Sequence, residues 1–247
     1  MQNAFRPSAY ANLDELEYRD RIQKEHDTPG ALLQKIRASG RLDLLPYLRR
    51  HRIVEPAGAI LEIGAGSGWL SAELSKLEAV ETVTTLDFSE WLVSTVMPEI
   101  FRALGAANGK IERVRGDFHD LSAFGVNRYD WVFADSALHH ATDVALLLKQ
   151  VLAVLKPGGA LVGLREPIAP IVSWHLRHRR ADTERALKAH GVDEPLYRRA
   201  EWEQFFDAAG LRLEWRAITL SKGVRGIVAN LLNGITKADY CLIGRKP

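Results

Sequence analysis

Hydrophobic and polar positions switch between two periods from about Ala57 to Arg165. The runs Ala59-Ile60-Leu61-Glu62-Ile63, Thr82 to Leu86, Trp131-Val132-Phe133-Ala134 and Ala160-Leu161-Val162-Gly163-Leu164 have strand length and near-continuous apolar character. They predict buried parallel strands. Ile111-Glu112-Arg113-Val114 is more polar and predicts a strand nearer an edge. Between Thr142 and Leu155, Val144, Leu147, Leu148, Val151 and Leu155 recur at helical spacing, with Pro157-Gly158-Gly159 as the expected stop. Glu201 to Ala209 repeats that pattern through Trp202, Phe205, Phe206 and Ala209, and Gly210 is the expected C-terminal cap. The period then changes: Leu211, Leu213, Trp215 and Ala217 alternate with polar residues as in a half-buried strand, and Tyr240-Cys241-Leu242-Ile243 reads as another. A short helix is expected between them at Ile227 to Leu232. Five βα repeats followed by these elements predict an α/β domain, with a mostly parallel sheet covered on both faces.

Two segments break the alternation. Residues 1–56 read as a mostly helical N-terminal cover, and 166–199 as a lid inserted into a domain spanning 57–247. The length of 247 residues suits one such domain with embellishments. A net charge of +2 supplies no global field that would demand nucleic acid or an anionic membrane as partner. Cys241 is the single cysteine, which excludes an intrachain disulfide and a zinc-ribbon site and makes a reducing cytoplasm the expected compartment. Neither a signal-peptide core in Met1 to Asp20 nor an apolar run approaching the roughly 20 residues of a membrane span is found.

Candidate chemistry begins at Gly64-Ala65-Gly66-Ser67-Gly68, a glycine turn between the first strand and the helix starting at Trp69. Glycine permits a tight turn and close approach of a ligand to the backbone, and amides at a helix N-terminus can face an anionic group. A purely structural turn is the competing reading. The dinucleotide fingerprint needs a third glycine where this chain has Trp69, which disfavours pyrophosphate. Asp87, ending the second strand, is placed for vicinal ribose hydroxyls or, alternatively, for capping the helix at Ser89. Asp117-Phe118 after the third strand offers a carboxylate and an aromatic face for adenine, or an ordinary turn.

In order, Leu61-Glu62-Ile63-Gly64-Ala65-Gly66-Ser67-Gly68, Asp87, Gly116-Asp117, Tyr129-Asp130-Trp131-Val132-Phe133-Ala134-Asp135, Ala137-Leu138-His139-His140 and Leu155-Lys156-Pro157-Gly158-Gly159 resemble the class I S-adenosylmethionine-dependent methyltransferases. The resemblance covers about 110 residues strongly. It implies a doubly wound, seven-stranded, Rossmann-like methyltransferase fold with an antiparallel last strand. It further implies that Gly64, Ala65, Gly66 and Gly68 wrap the methionine part of S-adenosylmethionine, with Glu62 helping to hold its amino group; Asp135, after the fourth strand and next to the glycine loop, is a further cofactor-binding candidate. Asp87 would bind the ribose, and Asp117 with Phe118 the adenine. Phe88 follows Asp87 where aliphatic residues are usual in the family, and is expected to pack under the adenine.

The implied reaction is methyl transfer to a small molecule through an oxygen, nitrogen or carbon nucleophile, with no metal. A hydroxyl acceptor would need a base. His139 and His140 follow the fourth strand and Glu166 the fifth, making them the candidate catalytic residues. The competing readings are that the histidines merely lead into the next helix and that Glu166 pairs with Arg165 or a lid arginine. The basic run Trp174-His175-Leu176-Arg177-His178-Arg179-Arg180 suggests an anionic acceptor or a solvated face. A nicotinamide-dependent oxidoreductase and a non-catalytic S-adenosylmethionine-binding partner protein are the rival functions. Acceptor identity and oligomeric state are not legible in the sequence.

Overall fold

The computed structural model describes residues 28–169, 196–220, 227–228, 231 and 240–247. Two helices, α1 (Pro29–Ala38) and α2 (Arg41–Arg50), precede β1 (Gly58–Ile63), α3 (Trp69–Ser75) and β2 (Val80–Asp87). A π turn at Leu92–Val96 runs into α4 (Met97–Leu104), followed by β3 (Ile111–Arg115) and β4 (Tyr129–Asp135). Next come α5 (Val144–Val154), β5 (Leu155–Leu164), the short strands β6 (Ile168–Ala169) and β7 (Tyr197–Arg198), α6 (Arg199–Ala209), β8 (Arg212–Ala217) and β9 (Tyr240–Arg245). The main sheet has seven strands in the order β3-β2-β1-β4-β5-β9-β8. The first five are parallel and β9 runs antiparallel to both neighbours.

Period-two alternation distributes the strand residues between two cores. Leu61, Ile63, Val132, Leu161 and Leu242 pack with α5 and α6 around Trp202 and Phe206. Ile60, Phe133, Val162, Cys241 and Ile243 pack on the other face with α1 to α4. The polar strand is indeed the edge strand β3. Chain order reverses between β1 and β4, which opens a crevice beyond the C-terminal ends of the strands.

Local signals account for the boundaries. Asp143 caps α5 by accepting the Leu146 amide at 2.9 Å, and Gly210 closes α6 at φ 81°. The π turn immediately precedes Pro98, which has no N–H to donate into an α-helical ladder. One expectation is corrected here: Pro157-Gly158-Gly159 does not stop α5. The helix ends at Val154, because Leu155 is already extended and pairs with Tyr129. Pro157 to Gly159 therefore lie within β5.

The segment 29–50 is helical as expected, while 1–27 lies outside the described residues. Of the expected lid, only its two ends are described, and they meet where Ile168 pairs with Tyr197. The basic run from Trp174 to Arg180 lies outside the described residues. Ile227, Val228 and Leu231 are helical, and the rest of the helix expected there also lies outside them.

Candidate functional site

A cavity of ≈ 270 Å³ occupies the crevice, and every parallel strand contributes to its wall. Gly64 to Ser67 follow β1, Asp87 and Phe88 end β2, and Phe118 and His119 follow β3. Asp135, Ser136 and Ala137 end β4, Arg165 ends β5, and His140, Thr142 and Arg41 complete the lining. A wall assembled from loops at one edge of a sheet follows from parallel strands, whose C-termini all point the same way.

The three glycines of the turn all have positive φ, but they serve different purposes. A Cβ at Gly64 would lie 2.7 Å from Ala137 Cβ, and one at Gly68 2.7 Å from Phe101 Cε1. These two glycines permit packing. At Gly66, which lines the cavity at φ +56°, nothing lies within 4 Å of an added Cβ. Gly66 is where a ligand can lie against the backbone.

The expectation that the amides of this turn face an anionic group is corrected at three positions. Ala65 N–H donates to Leu86 O at 3.0 Å, Gly66 N–H to Asp87 Oδ2 at 2.7 Å and Gly68 N–H to Ala65 O at 2.9 Å. Donors already satisfied inside the loop do not form a phosphate cradle. The residue replacing the third dinucleotide glycine is built into the wall: Trp69 donates its indole N–H to Asp135 Oδ2 at 2.8 Å.

The cap itself is Ser89 rather than Asp87: Ser89 Oγ accepts from Leu92 N–H at 3.2 Å, and Asp87 Oδ1 braces that residue by accepting from Ser89 N–H at 3.0 Å. The Asp87 carboxylate thus joins the glycine turn to the helical segment after β2 at the lip of the cavity. Phe88 and Phe118 line the cavity, whereas Asp117 turns to His119, accepting from its backbone N–H at 2.9 Å and from Nδ1 at 2.6 Å. Asp135 is clamped by Arg165 through Nε at 2.6 Å and Nη2 at 2.5 Å. Both Ser136 and Arg165 hold left-handed φ values, 57° and 53°, at the ends of β4 and β5. Such backbone strain gathers where a site dictates conformation.

The proposed catalytic trio divides. His140 lines the cavity; His139 and Glu166 are buried behind it. Glu166 Oε1 accepts the amides of Ala137 and Leu138 at 2.9 and 3.0 Å, and Oε2 lies 3.2 Å from the His139 amide and 2.7 Å from its Nδ1. Arg165 pairs with Asp135 rather than Glu166, which corrects that half of the alternative, and the lid arginines lie outside the described residues. Sequence reading missed Arg41, His119, Thr142 and Arg165 as wall residues. Only Arg165 had a signal, as the residue directly after a buried strand.

Glu62 lies beneath the turn, fully buried and not on the cavity wall. Its Oε2 accepts from Ser71 Oγ, which in turn accepts from Thr85 Oγ1 at 2.6 Å. Burial raises its carboxyl from 4.5 to about 8; the Ser71 bond opposes this and the charges of Asp135 and Asp87 add to it. Between those two values the folded protein retains a proton that the unfolded chain releases. Stability should therefore be greatest below the unfolded value and decline as pH rises through the folded one, at a slope on the order of 1 kcal/mol per pH unit. Glu62→Gln is expected to keep the Ser71 bond and flatten this dependence. Urea unfolding at about pH 5 and about pH 8 measures it, and equal slopes in both proteins would contradict it.

Among the described residues no cluster suited to a metal ion occurs, and no helix is long and apolar enough to cross a membrane. Burial pushes the Cys241 thiol up to about 12, which leaves it in the unreactive thiol form.

Residues 61–163 match the family model described as "Methyltransferase domain". A 109-residue stretch is 36% identical to the fumosorinone synthetase of Cordyceps fumosorosea, spanning 43% of this chain and 3% of that protein. Another 109-residue match, at 30% identity, is to the ubiquinone biosynthesis O-methyltransferase of Xanthomonas axonopodis pv. citri, covering 44% of this chain and 43% of that enzyme. The chain thus spans less than half the length of either relative. In fold it resembles Haemonchus contortus phosphoethanolamine N-methyltransferase 2 in complex with S-adenosyl-L-methionine, with a TM-score of 0.66 at 15% identity over 98% of this chain and 61% of that one. The strand order and the divided glycine turn with its Asp87 tie accord with that match, and residues 61–163 are similar to the methyltransferase-domain family.

Proposed function

We propose that this chain transfers a methyl group from S-adenosylmethionine to a small-molecule acceptor. The observation that carries the reading is Gly66: a cavity-facing glycine with positive φ and open space at its Cβ position, tied by its own amide to the carboxylate at the end of β2. A group with a ribose and an amino-acid chain fits these residues. Asp87 would accept from the ribose hydroxyls, Gly64 to Gly66 would contact the amino-acid chain, and Phe88 and Phe118 would flank the base. When bound, S-adenosylmethionine supplies a methyl carbon on a sulfonium, from which a neutral thioether departs under in-line attack.

The protein's own work is then alignment and exclusion of water. Asp135, immobilised by Trp69 and paired with Arg165, fixes a charge-compensated wall at the β4 end of the cavity. His140, which lines the cavity, would hold an acceptor proton, a role supported by the His139–Glu166 pair that fixes the turn carrying it. An anionic group on the acceptor is supported by Arg41 on the wall, Arg165 being paired with Asp135. The helices of residues 28–56 act as cover, a role supported by the presence of Arg41 in that wall.

Calorimetric titration with S-adenosylmethionine, S-adenosylhomocysteine and NAD tests the reading. The first two are expected to bind and NAD is not; the reverse would establish the oxidoreductase. Asp87→Ala should weaken S-adenosylhomocysteine by about 1.5–3 kcal/mol, the scale of hydrogen bonds to charged groups. A fall in melting temperature with unchanged affinity would leave Asp87 only its role in bracing the Ser89 cap.

A further inference from the structure

His119 was not expected at the site, yet its imidazole joins two walls of the cavity. Its Nε2 accepts the Thr142 backbone N–H at 3.2 Å, so that nitrogen carries no proton. The ring proton must then reside on Nδ1, 2.6 Å from Asp117 Oδ1, where it is donated to the carboxylate. The ring also lies against Phe118, with centroids 4.6 Å apart and planes 21° apart, while the His119 carbonyl accepts from Gln150 Nε2 on α5 at 2.6 Å. Phe118, His119 and Thr142 all line the cavity. One neutral tautomer therefore holds the loop after β3, the Asp117 carboxylate and the turn before α5 in one arrangement.

We propose that His119 is a positioning residue of this pocket: as the Nδ1–H tautomer it orients Asp117 and ties down Thr142, so that the wall built with Phe118 takes the flat base of an S-adenosyl ligand only while the imidazole is neutral. This rests on the methyltransferase reading above. Protonation at Nε2 would put a donor against the Thr142 N–H donor and break that tie. The surrounding titratable groups are Asp117 on the same loop, His140 with the His139–Glu166 pair on the turn after β4, Asp143 at the head of α5 and Asp87 across the cavity. All of these, and Glu62, are unchanged in a His119 variant, so comparison with the parent protein isolates the imidazole.

The experiment is calorimetric titration of S-adenosylhomocysteine into the parent protein, His119→Gln and His119→Leu, at about pH 8 and about pH 5, the limits between which imidazoles change charge. The parent is expected to lose about tenfold in affinity at the lower pH, the loss of one hydrogen bond's worth of positioning. Gln is uncharged and long enough to accept from Thr142; it should stay within about threefold of the parent at the higher pH and lose markedly less than the parent on acidification. Leu should bind about tenfold more weakly at both. The proposal is overturned if the Gln variant shows the same pH dependence as the parent, or if a folded Leu variant binds as the parent does. Should Leu fail to fold, the Gln comparison decides alone. Absence of S-adenosylhomocysteine binding in the parent at either pH would instead defeat the methyltransferase reading.

Discussion

Replacing Gly66 by valine is expected to reduce S-adenosylhomocysteine affinity more than a hundredfold, above about 2.7 kcal/mol, in a protein that still folds. The same change at Gly68 is expected to damage the fold itself. Both positions have positive φ, so each substitution incurs roughly 1–2 kcal/mol of backbone strain. They differ in what surrounds the new side chain. At Gly66 it enters the cavity, where no protein atom lies within 4 Å of its Cβ, and occupies the ligand's approach to the backbone. At Gly68 the Cβ meets Phe101 Cε1 at 2.7 Å and Met97 Cγ at 3.1 Å, both in side chains buried between α3 and α4. Overpacking there adds about 1–3 kcal/mol, for a total of about 2–5 kcal/mol. Calorimetry and urea unfolding of the two variants separate the effects. Undiminished binding by a folded Gly66→Val protein would remove the turn from the site.

Glu166→Ala is expected to destabilise the protein by about 3–5 kcal/mol, because several buried donors lose their acceptor at roughly 1–3 kcal/mol each. Sequence position suggested that this carboxylate would meet the acceptor, but its oxygens serve three consecutive backbone amides and the His139 ring. Truncation leaves four buried donors without their acceptor. Glu166→Gln retains one amide oxygen for Ala137 and Leu138, and the milder loss expected is about 1–2 kcal/mol. Urea midpoints measure both. If Glu166→Ala were as stable as the parent, the turn carrying His140 would have to be held by something else.

The two outcomes bear on how far a chain can be read without its structure. Everything set by local periodicity was legible. The apolar runs around Leu61, Val132 and Leu161 became the central strands, the polar run at Ile111 became the edge, and Gly210 capped its helix. Each of these depends on neighbours within a few positions, where side-chain direction follows directly from strand or helix geometry. The stop of α5 was misplaced because Leu155 leaves the helix to pair with Tyr129, a partner 26 residues away in sequence.

Site residues divide along the same line. The glycine turn, Asp87 and Phe118 were found because a motif fixes their spacing along one strand end. The direction of each carboxylate was not, since it depends on which donors the fold brings near: Asp117 turned to His119, Asp135 to Arg165 and Trp69, and Glu166 to the turn after β4. Arg41 and Thr142 reach the same wall from elements far apart in the chain. The amino-acid sequence by itself determined the alternation that makes the sheet and the glycine turn that opens its crevice, because both are properties of consecutive residues. Only the tertiary structure decided which polar groups face the cavity and which are consumed in holding its walls, because buried donors and acceptors must be satisfied by whatever partners long-range packing supplies.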